Sequence, residues 1–526
     1  MSKNILFKIS PPIWPIFEVE IEIIKKEIEK KNHITLITCD GKKKFCVANE
    51  NMNKIKCAYC KKRLNDGLNF INKFNKKKIV TFNESHKYRF NAKLSENIKK
   101  LKTTNDLLKI KYKTIDVGSA ILSTLITQFN TENFSILKKK KLIMEIAKQS
   151  VCSFENFKEI LKKRVFHKIL IFNGRIYNYR PLLRYSQKYK LNSYCYDYSY
   201  FSHERYLIKK NDFTQNMNSR AKEIFYLHKK RRETINKRVL IKNGTFFFKN
   251  RFNKKNSGPF TVFNAVQKKT LPKEYNNTIN NTICISIFPS TNFESSLVTD
   301  STKRFIYKDQ LIAIRKILDE FGNNQNIFFW IRLHPNSIND FENTKKFINL
   351  EKNYLNLKII KPLSDISSYE LVKNSSFIIT FGSTIGIEAV FLKKNVISLG
   401  PSAYQEFKLD YQPGNHFETI KIISRLILNN KFNDKSQLNS IYAADAMVNQ
   451  GEKLIYLKRK DMFNSYFLIN GKKIKFMKFD LIYFLYFVYF ITSRSTKLFK
   501  IFFTNPQLFK FKIYNYYVRI MNLLKN

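Results

Sequence analysis

Residues 375–401, SSFIITFGSTIGIEAVFLKKNVISLGP, constrain the fold of this chain more than any other stretch. The run FIITF is β-branched and aromatic, which predicts a buried strand that stops at Gly382. Ser383 and Thr384 then begin a predicted helix, and NVISL at 395–399 is a second strand. A strand, a helix and a strand within so few residues make a βαβ unit, which requires a parallel sheet. Ligands bind beyond the carboxyl ends of the strands in such sheets.

The polar residues that follow the first of these strands are suited to an anionic ligand. A helix that begins at Ser383 and Thr384 presents free backbone N–H groups, and the two hydroxyls beside them can donate to phosphate oxygens. Glu388, one turn into the helix, is within reach of a ribose or sugar hydroxyl. We therefore predict Gly382, Ser383, Thr384 and Glu388 as nucleotide-donor-binding residues. The alternative is that Ser383 and Thr384 only cap the helix.

A second strand of the same kind lies in NIFFWIRLHPN, residues 326–336. Arg332 and His334 alternate along this strand, so their side chains are expected on the same side of the sheet. Pro335 cannot continue a central strand and turns the chain where His334 is presented. We predict that Arg332, His334, Pro335 and Asn336 bind the donor. The alternative is that His334 and Pro335 form only a turn.

The pairing of IRLHPN with TFGSTIGIEA resembles the bacterial surface-polysaccharide and capsule biosynthesis transferases of the GT-B type. That group is akin to the capsule Kdo transferases and polysialyltransferases and, more distantly, to the CDP-glycerol glycerophosphotransferases. The resemblance implies that His334-Pro335 and Ser383-Thr384 bind the phosphates and the base of a nucleotide-activated donor. Many relatives have Ser-Ser where this chain has Ser-Thr, and both hydroxyls are retained.

Two further segments resemble the same family. ICISIFPST, residues 283–291, has the form of a strand followed by a Ser-rich turn and an acid, which marks Ser290 for the donor and Glu294 for catalysis. A strand at 165–172 ends in Asn-Gly-Arg and is followed by a helix, as in the family. We therefore predict Asn173 and Arg175 as acceptor-binding residues.

The amino-terminal part opens as a doubly wound domain, with predicted strands at 4–9 and 34–38 and a helix at 17–31 between them. Asp40 follows the second strand at a carboxyl end and is a candidate catalytic carboxylate. The alternative is an ordinary turn aspartate before glycine. Asp40, His334 and Glu294 are the candidates for the general base.

Four of the seven cysteines are close in sequence. Cys57 and Cys60 form a C-x-x-C pair, with Cys39 and Cys46 upstream, and four thiolates can hold a structural zinc ion. The spacing is irregular and no second C-x-x-C follows, so reduced cysteines without metal are the alternative. No signal peptide is visible at the amino terminus, which favours a reducing cytoplasmic location.

The length of 526 residues favours two domains and an appendage. We predict an amino-terminal Rossmann-like acceptor-side domain at 1–208, a connecting segment at 209–275, a carboxyl-terminal Rossmann-like donor domain at 276–460 and a tail at 461–526. The net charge of +54 is spread along the chain and is mostly lysine. An AT-rich coding sequence would produce that composition, and attraction to a membrane surface is the other explanation. No nucleic-acid module is recognisable, so no nucleic-acid partner is expected.

The tail contains FDLIYFLYFVYFI, residues 479–491, which is too short to span a bilayer, since about 20 apolar residues are needed. Aromatic residues beside lysine and arginine suit an interfacial segment on the inner face of the cell membrane. The alternative is a helix packed across the two domains.

These observations predict an α/β protein with two Rossmann-like domains of the GT-B type, a cleft between them and an aromatic-basic tail. The predicted activity is transfer of a sugar from a nucleotide-activated donor to a surface or capsular polysaccharide, with a glycan or glycolipid as the acceptor. No Asp-x-Asp motif follows a strand, so no divalent ion and no other cofactor is expected in catalysis. The alternatives are a CDP-polyol phosphotransferase of the same fold and a non-catalytic basic protein that binds membrane or nucleic acid.

Overall fold

A computed structural model describes residues 2–13, 15–74, 79–84, 90–131, 134–253, 267, 271, 275, 282–291, 306–307, 309–459, 465–475 and 480–504. The chain forms two compact units. Unit 1 comprises Met1–Gln128, Phe134–Gln215 and Gly451–Asn526, and unit 2 comprises Phe129–Asn133 and Asn216–Gln450.

The centre of unit 1 is a seven-stranded sheet. Its strands are β1 (Asn4–Lys8), β2 (His33–Thr38), β3 (Val80–Asn83), β4 (Lys168–Phe172), β5 (Ser193–Tyr198), β6 (Arg205–Lys210) and β12 (Glu452–Lys453). They lie in the order β12-β6-β5-β4-β1-β2-β3, and the pairs from β5 to β3 are parallel, whereas β6 is antiparallel to both neighbours. The chain order reverses between β1 and β4, as in a Rossmann sheet.

Among the described residues of unit 1, seven helices lie between β1 and β5. They are α1 (Ile16–Glu29), α2 (Lys54–Asn72), α3 (Ala92–Lys99), α4 (Thr104–Leu108), α5 (Val117–Phe129), α6 (Ile136–Lys163) and α7 (Arg180–Lys188). Polar side chains define several of the starts: Asn53 accepts a hydrogen bond from the N–H of Lys56 at α2, and Ser135 accepts one from Lys138 at α6.

The last part of unit 1 follows β12. Strands β13 (Leu457–Arg459), β14 (Ser465–Ile469) and β15 (Lys472–Ile474) form an antiparallel sheet, and α16 (Leu481–Thr504) comes after it. Tyr59 of α2 stacks on Tyr486 of α16, with ring centroids 3.8 Å apart. Within the residues that the structure describes, no helix combines the length and apolarity needed to cross a membrane.

Unit 2 is built on five parallel strands, β7 (Ile283–Phe288), β8 (Ile327–Arg332), β9 (Leu357–Ile360), β10 (Phe377–Thr380) and β11 (Asn395–Ser398). Their order is β11-β10-β7-β8-β9, so the chain order reverses between β7 and β10. Nearly every strand residue is buried, because helices cover a parallel sheet on both faces. The core includes Ile285, Phe329 and Ile379.

Eight helices of unit 2 lie within the described residues. They are α8 (Met217–Thr234), α9 (Lys237–Phe252), α10 (Gln310–Phe321), α11 (Phe341–Ile348), α12 (Ser368–Asn374), α13 (Ile385–Phe391), α14 (His416–Leu428) and α15 (Asp434–Val448).

The helices α8 and α9 fall in the segment predicted to connect the domains, yet they pack within unit 2. Arg231 of α8 binds Asp445 of α15 through Nε at 2.7 Å. A Cβ added to Gly244 of α9 would meet the backbone oxygen of Ile441 at 2.0 Å, so these two helices approach closely. The structure likewise groups 451–526 with unit 1, whereas the sequence predicted a donor domain that extends to 460 and a separate tail.

The predicted α/β class with two Rossmann-like sheets is confirmed, since each unit contains a largely parallel sheet whose chain order reverses once. The tail contains a helix rich in Phe and Tyr, as its composition indicates.

Candidate functional site

The sheet of unit 2 has its reversal point between β7 and β10, where open α/β sheets bind ligands. Ser290 follows β7 and its Oγ donates to the backbone oxygen of Phe381, which follows β10, at 3.3 Å. Gln310, at the start of α10, accepts from the N–H of Ser290 at 2.9 Å and donates to its Oγ at 3.2 Å. The structure therefore brings Ser290 next to the loop that contains Gly382, and Gln310, which sequence reasoning missed, holds Ser290 in place.

Gly382 adopts a backbone conformation that favours glycine, with φ of +85°. A Cβ at this position would meet the backbone oxygen of Pro401 at 2.2 Å. The loop after β10 can therefore lie against the loop after β11 only because residue 382 has no side chain.

The hydroxyls of Ser383 and Thr384 each accept a hydrogen bond from another residue of unit 2. Ser383 Oγ accepts from the N–H of Ile385 at 3.4 Å, and Thr384 Oγ1 accepts from Arg251 Nη2 at 3.2 Å. Tyr404 Oη donates to the backbone oxygen of Ser383 at 2.8 Å and fixes this turn. The helix α13 that follows has only seven residues, so binding here depends on side chains more than on the helix dipole. That both hydroxyls bind the nucleotide-activated donor stays a prediction.

Glu388 is 2% exposed and its carboxylate binds Arg251, which comes from α9. Tyr369 also belongs to this group, since its pKa is raised by burial and then by the charge of Glu388. The predicted contact of Glu388 with a sugar hydroxyl stays a prediction, and the structure adds a partner for the carboxylate. Arg251 was not predicted because no motif marks it in the sequence.

Arg332 ends β8 and is only 4% exposed. Its Nη2 donates to the backbone oxygen of Ser364 at 2.8 Å, whereas Nε and Nη1 are buried without a hydrogen-bond partner among the described residues. Burial lowers the pKa of Arg332 to about 10, and the charge of Asp365 opposes that change. A buried guanidinium with two unused N–H donors is suited to bind an anion.

His334 lies directly after β8, and Pro335 begins a short 3-10 helix, Pro335–Asn339. The Nδ1 atom of His334 accepts a hydrogen bond from the N–H of Asn336 at 3.1 Å. The proton of the neutral imidazole then resides on Nε2, which makes Nε2 a donor. The predicted turn at Pro335 is present, and the binding roles of Pro335 and Asn336 stay predictions.

The two predicted acceptor-binding residues are buried in unit 1. Asn173 is 4% exposed and its side-chain oxygen accepts from the N–H of Arg175 at 3.1 Å. Arg175 donates from Nη1 to Thr127 Oγ1 at 3.0 Å, while its Nε has no hydrogen-bond partner among the described residues. Burial lowers the pKa of Arg175, although the charges of Tyr200 and Asp197 oppose this. Acceptor binding by this pair stays a prediction.

Of the two carboxylates predicted for catalysis, the structure describes only Asp40. Asp40 follows β2 and accepts from the N–H of Lys42 at 2.9 Å, which is the bond of an aspartate turn. Its catalytic role stays a prediction. Glu294 lies outside the described residues.

Cys39, Cys46, Cys57 and Cys60 all line one cavity of unit 1. Asn49 Nδ2 donates to Cys57 Sγ at 3.1 Å, and burial raises the pKa of the Cys60 thiol to about 12. Among the described residues no three His, Cys, Asp or Glu side chains are arranged to hold a metal ion. Zinc binding needs thiolates at mutual coordination distance, so a zinc site here stays a prediction that requires these cysteines to move closer together.

Comparison with known proteins shows similarity to one family. Residues 284–420 match a family model described as "Capsule polysaccharide biosynthesis protein". This stretch starts in β7, ends in α14 and contains both IRLHPN and TFGSTIGIEA. No curated protein matches the chain.

Solved structures give weaker similarity. The Thermosulfurimonas dismutans KpsC β-Kdo 2,4-transferase is 12% identical over 59% of this chain and 84% of its own, with a TM-score of 0.33. The β-Kdo 2,7-transferase of the same KpsC is 12% identical over 65% of this chain and 94% of its own, with a TM-score of 0.33. The S. aureus MnaA–UDP structure is 9% identical over 86% of this chain and 94% of its own, with a TM-score of 0.26.

The resemblance read from IRLHPN and TFGSTIGIEA is therefore confirmed: the sheet of unit 2 is similar in sequence to capsule polysaccharide biosynthesis proteins.

Proposed function

We propose that this chain is a glycosyltransferase that moves a sugar from a nucleotide-activated donor to a surface or capsular polysaccharide, and that unit 2 binds the donor. The proposal rests mainly on the unpaired donor nitrogens of Arg332. Its buried guanidinium has two unused N–H donors at the carboxyl end of β8, and an anionic group would satisfy them. The match of residues 284–420 to capsule biosynthesis proteins supports a sugar donor.

In this reaction the bond between the sugar and the nucleotide breaks, and negative charge develops on the leaving phosphate. A fixed cation and a fixed N–H donor near that phosphate stabilise the charge as it forms. Arg332 supplies the cation, and His334 supplies the N–H donor. The Nδ1 atom of His334 accepts a hydrogen bond from the N–H of Asn336, so its Nε2 atom carries the proton. We therefore assign His334 to the leaving group and leave proton acceptance from the acceptor hydroxyl to a carboxylate.

The guanidinium of Arg332 also supports a reaction that needs no divalent metal ion. A buried arginine performs the charge stabilisation that Mg²⁺ or Mn²⁺ provides in metal-dependent transfer. We expect transfer to continue in the presence of a chelator.

The tail supports peripheral attachment to a membrane. The helix α16 exposes Leu481, Phe484, Leu485 and Val488, which are 70, 48, 43 and 40% exposed. Their spacing of three and four residues places them on one helical face. An apolar helix face in a chain with a net charge of +54 suits the interface of an anionic bilayer.

Thermal stability of the purified chain with CMP, CDP, UDP and GDP tests the donor site. A nucleotide at 100 times its dissociation constant adds about 2.7 kcal/mol of stability, and one nucleotide should do so in the wild type but not in His334→Ala. A shift with CMP indicates a Kdo or sialic acid donor, and a shift with UDP or GDP indicates a hexose donor. If no nucleotide shifts a normally folded wild type, the transferase proposal is wrong.

Product analysis separates sugar transfer from polyol phosphate transfer. With the donor identified, a glycosyltransferase releases the nucleoside phosphate and leaves the acceptor without new phosphorus. Release of CMP with phosphorus joined to the acceptor would establish the phosphotransferase alternative instead.

A further inference from the structure

Unit 1 contains a cavity of about 340 Å³ at the carboxyl edge of its sheet. The cavity is lined by residues that follow three strands: Ser10 after β1, Cys39 after β2, and Tyr177 and Asn178 after β4. It therefore occupies the reversal point between β1 and β4, where sheets of this order bind ligands. Its volume is within the range of about 300–1,000 Å³ that is usual for small-molecule sites.

The charge of the lining is of one sign. Five lining residues are Lys or Arg and none is Asp or Glu. Lys8 and Lys43 both bind the carboxylate of Glu84, with Lys8 Nζ at 2.6 Å from Oε1, so two buried cations share one anion. Glu84 itself does not line the cavity. The lysines consequently present a net positive charge to any ligand, which favours an anionic group.

One buried oxygen atom of the lining also has no hydrogen-bond partner among the described residues. Asn178 is 3% exposed, and its Oδ1 is buried without a partner among the described residues. A buried acceptor without a donor is unfavourable, so a ligand that brings a hydroxyl would stabilise it.

Much of the remaining lining is apolar, although it also contains a few hydroxyl, thiol and amide groups. The apolar side chains include Ile9, Ile13, Met52 and Leu64, and Tyr486 and Phe490 contribute from α16. Aliphatic side chains of this kind offer no hydrogen bonds to the edge of a nucleotide base, whereas they suit a hydrocarbon chain.

The helix that contributes Tyr486 and Phe490 is also the helix whose opposite face is exposed and apolar. Tyr483, Tyr486, Phe487 and Phe490 pack toward Tyr59. Leu481, Phe484, Leu485 and Val488 point away from it and are exposed. The same helix thus borders the cavity on one side and a surface suited to a bilayer on the other, which favours a ligand that comes from a membrane.

From this geometry we infer that the cavity binds an anionic amphiphile, a molecule in which one apolar chain carries a phosphate or carboxylate group. The lysines hold the anionic group, and Phe490 and its apolar neighbours hold the chain. The inference does not depend on the proposed transfer reaction, because it concerns binding to unit 1 alone.

Calorimetric titration of the full chain with dodecyl phosphate, below the concentration at which it forms micelles, tests this inference. We expect saturable binding of one molecule per chain. Dodecanol, which has the same chain without the charge, and inorganic phosphate, which has the charge without the chain, should each bind at least about tenfold more weakly. Dodecanoate distinguishes a carboxylate from a phosphate as the preferred group.

Two matched pairs of variants locate the site. Phe490→Ala removes an apolar wall and should weaken dodecyl phosphate binding about tenfold, whereas Phe484→Ala, on the exposed face of the same helix, should not change it. Lys61→Gln, an exposed lining residue of α2, should weaken dodecyl phosphate but not dodecanol. Lys54→Gln, exposed on α2 outside the lining, is its control and leaves both affinities unchanged.

Three results would overturn the inference. One is the absence of saturable binding by a folded wild type. Another is an equal loss of binding in Phe484→Ala and Phe490→Ala, which would place the amphiphile on the helix surface. The third is displacement of dodecyl phosphate by CMP or UDP in the Arg332→Gln variant, which would make the unit 1 cavity a nucleotide site. Failure of the donor proposal would leave all of these measurements unaffected.

Discussion

Arg332 Nη2 donates to the backbone oxygen of Ser364 at 2.8 Å, and this is the one hydrogen bond of that guanidinium among the described residues. The bond orients the side chain at the end of β8 and leaves Nε and Nη1 for another group. A folded protein rarely buries such donors without a partner. We therefore expect an anion from outside the chain to bind at this position.

Replacement of Arg332 by Gln tests this interpretation. Because the variant removes a buried charge that forms no salt bridge among the described residues, we expect the free energy of unfolding without ligand to stay within about 1 kcal/mol of the wild type or to rise. Stabilisation by the donor nucleotide should disappear. Arg315→Gln, on the exposed face of α10, is the matched control and should retain the full nucleotide shift.

The pair formed by Arg251 and Glu388 should stabilise unit 2. Arg251→Met leaves the buried Glu388 carboxylate without its cation, and since Arg251 is one-third exposed we expect a loss of about 2 kcal/mol in the free energy of unfolding. The double variant Arg251→Met with Glu388→Gln should lose less than the single one. Lys373→Met, which breaks the exposed pair with Glu370, should change stability by less than about 0.5 kcal/mol. A double variant that is less stable than Arg251→Met would contradict this account.

Gly382→Ala should disrupt the loop after β10. The added Cβ meets the backbone oxygen of Pro401 and the positive φ disfavours alanine, so we expect a loss of about 3 kcal/mol and of nucleotide binding. Gly471 also has a positive φ, of +74°, but open space around its Cβ position. Gly471→Ala should therefore cost only about 1 kcal/mol. Equal losses at both positions, measured by chemical denaturation, would show that contact with Pro401 is unimportant.

Glu20 should make stability depend on pH. Its Oε1 accepts from the N–H of Ser10 at 2.9 Å, and burial raises its pKa from 4.5 to about 7. Between these values the folded chain keeps a proton that the unfolded chain has lost, so the free energy of unfolding falls as the pH rises. Glu20→Gln removes this effect. Its stability relative to wild type should increase by up to about 3 kcal/mol from about pH 5 to about pH 8. A difference that does not change with pH would show that Glu20 is ionised throughout.

The exposed face of α16 should mediate binding to anionic vesicles. Phe484→Ser should reduce the fraction of protein that floats with vesicles containing phosphatidylglycerol, because it replaces an apolar side chain that is 48% exposed. Phe246→Ser, at an exposed phenylalanine of α9, serves as the control. Since the chain has a net charge of +54, binding should also weaken as salt increases. Equal loss in both variants would indicate non-specific adsorption.

Much of the unit 2 sheet could be read from the sequence. Strands β10 and β11 begin at the predicted residues 377 and 395, and each ends one residue earlier than expected. Buried parallel strands are continuous apolar runs, and an amphipathic helix repeats its apolar residues every three or four positions. These signals are local, so one sequence is enough to find them.

The packing of α8 and α9 could not be read in this way. Both helices are basic. The sequence therefore suggested a connecting segment, whereas they pack on α15, about 200 residues away. Gly244 permits that close approach, yet a glycine in a polar stretch more often indicates a loop. Arg251 was missed for the same reason, because its partner Glu388 is distant in sequence.

The sequence by itself determined which segments are strands and helices and which polar residues follow the strands, because hydrophobic period and turn chemistry act over a few residues. Tertiary structure decided how those polar residues are used. It joined Glu388 to Arg251, left two N–H donors of Arg332 without partners and gathered lysines with aromatic residues of α16 around one cavity. Burial and pairing depend on contacts between residues far apart in the chain, and those contacts exist only once the chain is folded.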